Sequence, residues 1–481
     1  MFILDILYAA IAVILLFGAT IVVHEFGHFL AAYWLGMVIN VFSIGVGPAI
    51  WKRKIKGVLY KIGLVPFAGY VVLPQMEPQG VAEAAKSDDS LESESANKVK
   101  SRQGALPPVA AWKKIIVAIS GALGNIALAI LLAWIVYWVG KPSTPAEHSS
   151  VIGFVATNSI AYEKGLRAGN EIIAVNSRHV DNWNEILQEN ARHDEVILTI
   201  KQDGNLHTIS VPTAKNVFGI RVVEGLTEVS LCRVRAVEAG STAHQAGIQN
   251  GDIIKAFDEI PIVSIEQLIN LVRYRENIKV PIDVERNSEL LSLLVTPQLD
   301  PKLKRARIGI QFDPMAIDYD YVVHIPPSVQ LRKHATAILR AVRSLMTPKE
   351  ARSTAQGIGG PLMILYMTLI MVRRGLIIAL WFTCFLNVNL AILNLLPIPI
   401  LDGGHVVFSL WELITRHPAH PKFVLWISQI FAALLIILFV MLTGRDILRL
   451  FFIQRLNEHV TGEEKTTNSV SSDTLDMEKH E

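Results

Sequence analysis

Cysteine is scarce in this chain, which has two in 481 residues, Cys232 and Cys384. Cys384 lies inside a long apolar stretch, and neither cysteine belongs to a Cys-x-x-Cys pair. A framework of intrachain disulfides is therefore not expected, and the sequence offers no thiolate zinc site.

Charge is also sparse, since Asp, Glu, Lys and Arg make up 18% of the residues and the net charge is +2. A nucleic-acid partner is not expected, because such proteins carry a marked basic excess. Hydrophobic residues make up 51% of the chain, and its mean hydropathy is +0.38. This balance is too apolar for a soluble protein and too charged for one buried wholly in lipid, so it predicts membrane spans joined to soluble domains.

Four apolar segments are long enough to cross a lipid bilayer. They are residues 6–35, 115–139, 376–400 and 424–443. A shorter apolar run, 361–372, is interpreted as interfacial.

Basic residues flank the loop between the first two of these segments. They are Lys52-Arg53-Lys54 and Lys56 at one end and Lys113-Lys114 at the other. Because cytoplasmic loops are enriched in Lys and Arg, this loop is predicted to be cytoplasmic. Both termini and the long segment 141–375 are then expected on the opposite side of the membrane.

One ionisable cluster interrupts the first apolar segment, the run His24-Glu25-Phe26-Gly27-His28. Two histidines four residues apart share one face of a helix and can bind one zinc ion, with the intervening glutamate as general base. Ionisable side chains within a membrane segment are costly and usually functional. The motif predicts metal ligands at His24 and His28 and a catalytic Glu25. The alternative is a pair of structural histidines at a helix end.

A zinc hydrolase needs a third protein ligand and an open coordination position. The third apolar segment is broken by the prolines of 397–399, and Asp402 follows. The pair Gly403-Gly404 allows the chain to bend there, so that the carboxylate can point back toward the first segment. We predict Asp402 as the third ligand, with His405 as the second choice because it lies beyond the glycine pair.

The segment 141–375 contains an internal repeat, in which 158–176 aligns with 240–258. Each copy has a short helix-like run closed by glycine, a second glycine at a tight turn, and then an apolar strand. A further helix-like run and alternating strands follow each copy. The pattern resembles a PDZ domain, which usually binds an extended chain terminus by strand addition. Folded spacers without a peptide ligand are the alternative.

These observations predict a polytopic α-helical membrane protein of about four spans, with a membrane-associated β region and two inserted PDZ-like α+β domains. The expected order along the chain is as follows: first span with the zinc motif 1–36, β region 37–76, flexible cytoplasmic linker 77–111, second span 112–140, PDZ-like domains 141–226 and 227–314, surface amphipathic helices 315–375, third span 376–402, cytoplasmic loop 403–423, fourth span 424–444 and polar tail 445–481.

The HExxH motif in a first span, the run NLLPIPILDGG at 394–404 and the two PDZ-like repeats between them resemble the site-2 protease family of intramembrane zinc metalloproteases. Their order is similar to that of its regulator-of-sigma-E type. The resemblance implies one Zn²⁺ per chain. It further implies zinc ligands at His24, His28 and Asp402 and a catalytic Glu25.

The resemblance also implies a substrate. Asn389 and Asn394 match residues associated with substrate handling, and 57–74 resembles a re-entrant β region that pairs with an unwound substrate. The implied partners are the lipid bilayer and single-span membrane proteins trimmed beforehand outside the membrane, such as an anti-sigma factor or a remnant signal peptide. The implied location is the bacterial inner membrane, with the PDZ-like domains in the periplasm, where they gate substrates or read a new chain terminus.

Two other functional classes remain open on the sequence. A PDZ-based membrane scaffold without proteolytic activity would carry no stoichiometric zinc, so metal analysis separates it from an enzyme. A metal transporter would need polar residues in several spans, whereas here they concentrate in two.

Overall fold

The computed structural model describes residues 2–76, 108–202, 204–215, 221–301, 304–313, 316–347, 351 and 359–461. Most of the predicted linker 77–111 and the end of the predicted tail 445–481 lie outside these residues. The chain divides into a first unit (Met1–Val139, Ile325–Met346 and Ile358–Glu481) and a second unit (Gly140–His324 and Thr347–Gly357).

The helices in chain order are α1 (Phe2–Trp34), α2 (Ala111–Val139), α3 (Pro145–His148), α4 (Ile160–Glu163), α5 (Trp183–Asn190), α6 (Thr242–Gln245), α7 (Ile265–Arg273), α8 (Pro327–Met346), α9 (Pro361–Arg374), α10 (Leu376–Asn394), α11 (Asp402–Thr415) and α12 (Pro421–Thr461).

The strands are β1 (Val41–Ile55), β2 (Val58–Val72), β3 (Lys141–Ser143), β4 (Ile152–Val155), β5 (Glu171–Val175), β6 (Arg178–His179), β7 (Glu195–Gln202), β8 (Asn205–Lys215), β9 (Arg221–Val223), β10 (Leu226–Glu228), β11 (Val234–Val237), β12 (Ile253–Phe257), β13 (Ile260–Pro261), β14 (Val280–Arg286), β15 (Glu289–Val295), β16 (Gln298–Asp300), β17 (Arg305–Arg307), β18 (Ile310–Phe312) and β19 (Asp318–Val323).

Four of the described helices are long and apolar enough to cross a membrane, which confirms the predicted number of candidate spans. Their apolar stretches are Leu7–Trp34, Ala111–Val139, Leu376–Asn394 and Pro421–Phe451. Helix α2 packs against both α1 and α10. The first three candidate spans therefore form one packed group in which their polar side chains can meet.

The connection after the third span differs from the expected loop 403–423, because it contains helix α11. Helix α10 ends at Asn394, and Asp402 is the first residue of α11. A β-carbon on Gly404 would lie 2.5 Å from the carbonyl oxygen of Ile398. The glycine pair therefore serves close packing of α11 on the preceding turn, rather than the flexibility that we expected of it.

Helix α8 differs in part from the expected surface helices of 315–375. It packs against α2 and α10, and its Gln330 and His334 are buried. The amide of Gln330 donates a hydrogen bond to the carbonyl oxygen of Ala133 at 3.1 Å. One face of this amphipathic helix thus covers other helices of the first unit, and the side-chain N–H of Gln330 finds an acceptor there.

Helix α12 continues to Thr461, beyond the expected end of the fourth span. Asp446, in this extension, is fully buried. Its carboxylate accepts hydrogen bonds from the backbone amides of Gly360 at 3.0 Å and Met363 at 2.9 Å. Gly360 occupies the N-cap position of α9 and has no side chain to accept these amides. Asp446 of α12 therefore caps the start of α9 in its place.

Strands β1 and β2 form an antiparallel hairpin that folds back on itself. Residues 41–44 pair on one side with 69–72 and on the other with 59–62, and 59–62 pair in turn with 51–54. The fold-back occurs near Gly45, whose φ of +85° favours glycine. Strand segment 69–72 consequently lies at one edge of the sheet, and no other described strand pairs with its outer side.

The second unit contains the predicted repeat as two similar α+β modules, each with its own apolar core. One module has the sheet order β6-β5-β7-β8-β9 and the other β13-β12-β14-β15. Ser159 and Ser241 occupy the same place in the two copies, and each caps its helix by accepting a backbone amide at 3.2 Å. The repeat in the sequence thus corresponds to a repeat in local structure.

Asp252 in the second module forms a buried ion pair that makes the stability of this module depend on pH. Arg286 donates to its two carboxylate oxygens at 2.8 and 2.7 Å, and the Gln249 amide donates at 2.8 Å. Burial alone would raise the pKa of Asp252, but these hydrogen bonds and the Arg286 charge hold it below its ordinary value. The stabilisation is therefore complete above the ordinary pKa of an aspartate, about 3.9, and is lost as pH falls through the lower folded-state value.

We expect Asp252→Asn to lower the opening free energy of β12 and β14 by about 1–3 kcal/mol at pH 6, because a buried charged hydrogen-bond partner is removed. Hydrogen exchange of the full chain measures this quantity, and the difference from wild type should shrink toward pH 3. Glu289→Gln, an exposed change on the adjacent strand, is the control. A difference that persists unchanged in acid would contradict the linkage.

Candidate active site

Three potential metal ligands from two helices converge in the first unit. Nε2 of His24 lies 3.3 Å from Nε2 of His28, because the two rings are one helical turn apart on α1. Asp402 completes the cluster, with Oδ2 3.4 Å from Nε2 of His24 and Oδ1 3.4 Å from Nε2 of His28. The three side chains are 12%, 12% and 18% exposed, so the cluster is shielded but open on one side.

These distances fit a zinc ion. Ligands bound tetrahedrally at about 2.0–2.1 Å are separated from one another by about 3.3–3.4 Å. Oδ2 of Asp402 is buried and accepts no hydrogen bond from the described residues, although a buried carboxylate oxygen needs a partner. His24, His28 and Asp402 could therefore hold the ion and leave a fourth position open.

Helix α2 holds both imidazole rings in place. The carbonyl oxygen of Val117 lies 2.7 Å from Nδ1 of His28, and the side-chain amide of Asn125 lies 3.2 Å from Nδ1 of His24. Asn125 is fully buried. Contacts of this kind at one ring nitrogen orient the other toward a metal.

Gly121 of α2 provides the space that the two rings occupy. A β-carbon there would overlap Nε2 of His28 and lie 2.8 Å from Cε1 of His24. Neither Gly121 nor Asn125 was recognised as functional from the sequence. A polar residue and closely spaced glycines inside an apolar span were the available signals.

We expect Gly121→Ala to lower zinc affinity by about 10- to 100-fold, because the added methyl group displaces both imidazoles. Titration of the purified protein with a competing chelator measures the affinity. Gly18→Ala is the matched control, since Gly18 lies on α1 with no atom near its added methyl group. Equal affinity in the two variants would refute the steric role of Gly121.

A cavity of about 250 Å³ opens beside the metal-ligand cluster. Glu25 lines it together with Gly69, Tyr70 and Val71 of β2. Because residue 69 is glycine, the Glu25 side chain can lie close to β2. A β-carbon at this position would be 2.9 Å from Cγ of Glu25. The carboxylate thus faces the same space as the three ligands and the sheet edge at 69–72, where it can exchange a proton with a water molecule or a substrate.

Of the two predicted substrate-binding asparagines, Asn394 lies beside a metal-ligand candidate, whereas Asn389 lies on another face of α10. The amide nitrogen of Asn394 lies 3.5 Å from Nε2 of His24. Asn389 lies five residues earlier on α10 and hence on another face of the helix. Its Oδ1 is buried without a partner among the described residues.

His405, the alternative ligand, lines the cavity but is not part of the three-residue cluster. It lies one turn into α11, on the same side as Asp402. Burial lowers its pKa below the ordinary value of a histidine.

Residues 12–438 match the family model of peptidase family M50. A zinc metalloprotease of Xylella fastidiosa is 28% identical over 434 residues, covering 84% of this chain and 91% of the relative. The regulator of sigma-E protease of Escherichia coli is 26% identical over 472 residues, covering 93% of this chain and all of the relative. The chain therefore belongs to peptidase family M50, the site-2 protease family, and is a zinc metalloprotease.

Solved structures similar to parts of the chain include PDZ domains. The PDZ domain of an SdrC-like protein from Listeria monocytogenes is 19% identical and covers 18% of this chain and 90% of its own, with a TM-score of 0.16. An HtrA-type protease in complex with a decapeptide is 16% identical and covers 30% of this chain and 56% of its own, with a TM-score of 0.15. Such scores are too low to define a fold.

Proposed function

We propose that this protein is an intramembrane endopeptidase with one zinc ion per chain, which cleaves single-span membrane proteins already trimmed outside the membrane. One observation carries the proposal. The His-His-Asp cluster, the Glu25 carboxylate and an open sheet edge border the same cavity, and the two histidines lie on a helix apolar enough to cross a membrane.

The proposed chemistry divides between the metal and Glu25. A zinc ion held by His24, His28 and Asp402 supplies the Lewis acidity that polarises a peptide carbonyl and makes water a nucleophile at neutral pH. Glu25 takes the proton from the attacking water and passes it to the leaving amine. In this scheme Asn394 donates a hydrogen bond to the substrate backbone, and its position 3.5 Å from Nε2 of His24 supports that role.

The substrate has to be extended where it is cut. A membrane helix hides its peptide bonds in hydrogen bonds between residues i and i−4, so the helix must unwind first. The outer edge of 69–72 offers backbone groups to a freed chain by strand addition. A chain paired there would run past Glu25 and the metal ligands, since Tyr70 and Val71 line the cavity.

Substrate selection is assigned to the two repeated modules of the second unit, as PDZ-like domains that exclude bulky ectodomains or read a newly made terminus. The proposed location is a bacterial inner membrane, with these modules and both termini in the periplasm. The Escherichia coli relative is named regulator of sigma-E protease, which supports an anti-sigma factor as the substrate. A remnant signal peptide is the alternative substrate.

The test uses the full chain in lipid vesicles with two single-span substrates that share one span but carry a short or a long ectodomain. Cleavage within the span of the short form alone is the expected result. Cleavage of both forms would refute the selection step. Cleavage of neither, with no bound zinc, would favour the inactive scaffold.

A further inference from the structure

We propose that the β1–β2 hairpin carries a binding surface for the headgroups of anionic phospholipids. This surface, called the basic hairpin face, consists of Lys52, Lys54 and Lys61. The exposed apolar residues Trp51 and Ile55 alternate with these lysines along β1 and therefore lie on the opposite face of the same strand. The basic hairpin face lies toward the turn of the hairpin, whereas the active-site cavity is lined by residues 69–71 of the other end of β2.

The charge of this region is of one sign. Residues 37–75 contain five basic residues and no Asp or Glu. None of the five forms an ion pair with any residue that the structure describes. They are Lys52, Arg53, Lys54, Lys56 and Lys61. The face therefore attracts anions, since no acidic side chain among the described residues neutralises it.

The register of the hairpin brings like charges together. Lys52 pairs with Lys61 across the strands, so both side chains leave the same side of the sheet. Lys54 lies two residues further along and shares that side. Like charges directly opposite one another destabilise a sheet, and an anion bound between them removes this repulsion.

Exposed apolar side chains next to the lysines in sequence distinguish between possible partners, because a hairpin end that enters the interface of a membrane presents both of its faces to lipid. Trp51 is 46% exposed, Ile55 43% and Ile50 68%. Tryptophan beside lysine is typical of the interface between lipid and water. The hairpin begins at Val41, shortly after candidate span α1 ends at Trp34. A phospholipid surface therefore fits this face better than an acidic segment of a protein.

The experiment places a spin label on Ile50→Cys in the otherwise complete chain. Both native cysteines are buried, so the label reacts selectively at residue 50. The protein is reconstituted in nanodiscs of phosphatidylcholine with increasing fractions of phosphatidylglycerol. The ratio of accessibility to oxygen over a water-soluble nickel chelate reports how deeply the label sits in lipid.

We expect this ratio to rise with the phosphatidylglycerol fraction. Lys52→Gln should raise the fraction needed for half of the change about fivefold, because each basic residue near a charged membrane contributes about that factor. Replacing Lys52, Lys54 and Lys61 together should abolish the response. The matched control replaces three exposed basic residues of the second unit by glutamine: Lys201, Arg235 and Lys279.

A label that ignores phosphatidylglycerol in the wild type, or responds equally in the triple variant, would overturn the proposal. So would a response to an acidic peptide in discs of phosphatidylcholine alone, which would identify a protein partner instead. The single Lys52→Gln variant decides the matter if the triple variant fails to fold. None of these readouts depends on proteolysis.

Discussion

Replacing Glu25 by glutamine is expected to slow cleavage of a single-span substrate by about 10²–10⁴-fold, the usual contribution of a general base. The amide keeps the size of the carboxylate but cannot accept a proton from water. Because Glu25 faces the cavity and is not one of the three clustered ligands, zinc content should stay the same. A cleavage time course together with metal analysis of the same sample measures both quantities.

Glu412→Gln is a suitable control for this substitution. Glu412 lies in the same unit, on α11, where it forms an ion pair with Lys114 at 2.8 Å and does not line the cavity. Its replacement should leave cleavage nearly unchanged. Normal cleavage by the Glu25→Gln protein would show that another group acts as the base.

Asp402→Ala is expected to weaken zinc binding more than 100-fold. Loss of a group that only orients a metal ligand lowers metal affinity about 10- to 100-fold. The loss should be larger here, because one of the three ligands itself is removed. The two imidazoles that remain, with their Nε2 atoms 3.3 Å apart, can bind a metal only weakly as a pair. Competition with a chelator gives the affinity without any assay of activity.

His405→Ala is the informative companion of this variant, because His405 was the alternative third ligand. It lines the same cavity on the same helix but lies outside the cluster. We expect its zinc affinity to stay within a few-fold of the wild-type value. A larger loss in His405→Ala than in Asp402→Ala would reverse the assignment.

The parts of the site that the sequence could predict are those with short-range causes. The spacing of His24 and His28 places both rings on one face of any helix, whatever surrounds it. The prolines after Leu396 end helix α10 locally, so a turn before Asp402 could be expected. What brings Asp402 back to the histidines is packing of α11 on that turn, and the same glycine pair was misread as a source of flexibility.

Contacts between distant segments were beyond local reasoning. Gly121 and Asn125 come close to the histidines only because α2 packs against α1, and no sequence period marks that contact. The alternation in 37–74 predicted strands, but not that residues 41–44 would pair on both sides. The roles of the clustered side chains as zinc ligands and base stay proposals until tested.

X-ray absorption at the zinc edge of the purified wild-type protein tests the central claim most directly. The predicted spectrum shows two imidazole nitrogens and oxygen ligands at about 2.0–2.2 Å, with no sulfur. In Asp402→Ala this signature should be lost. A third imidazole, a sulfur neighbour or a signature that persists without Asp402 would contradict the assembly of His24, His28 and Asp402 into one metal site.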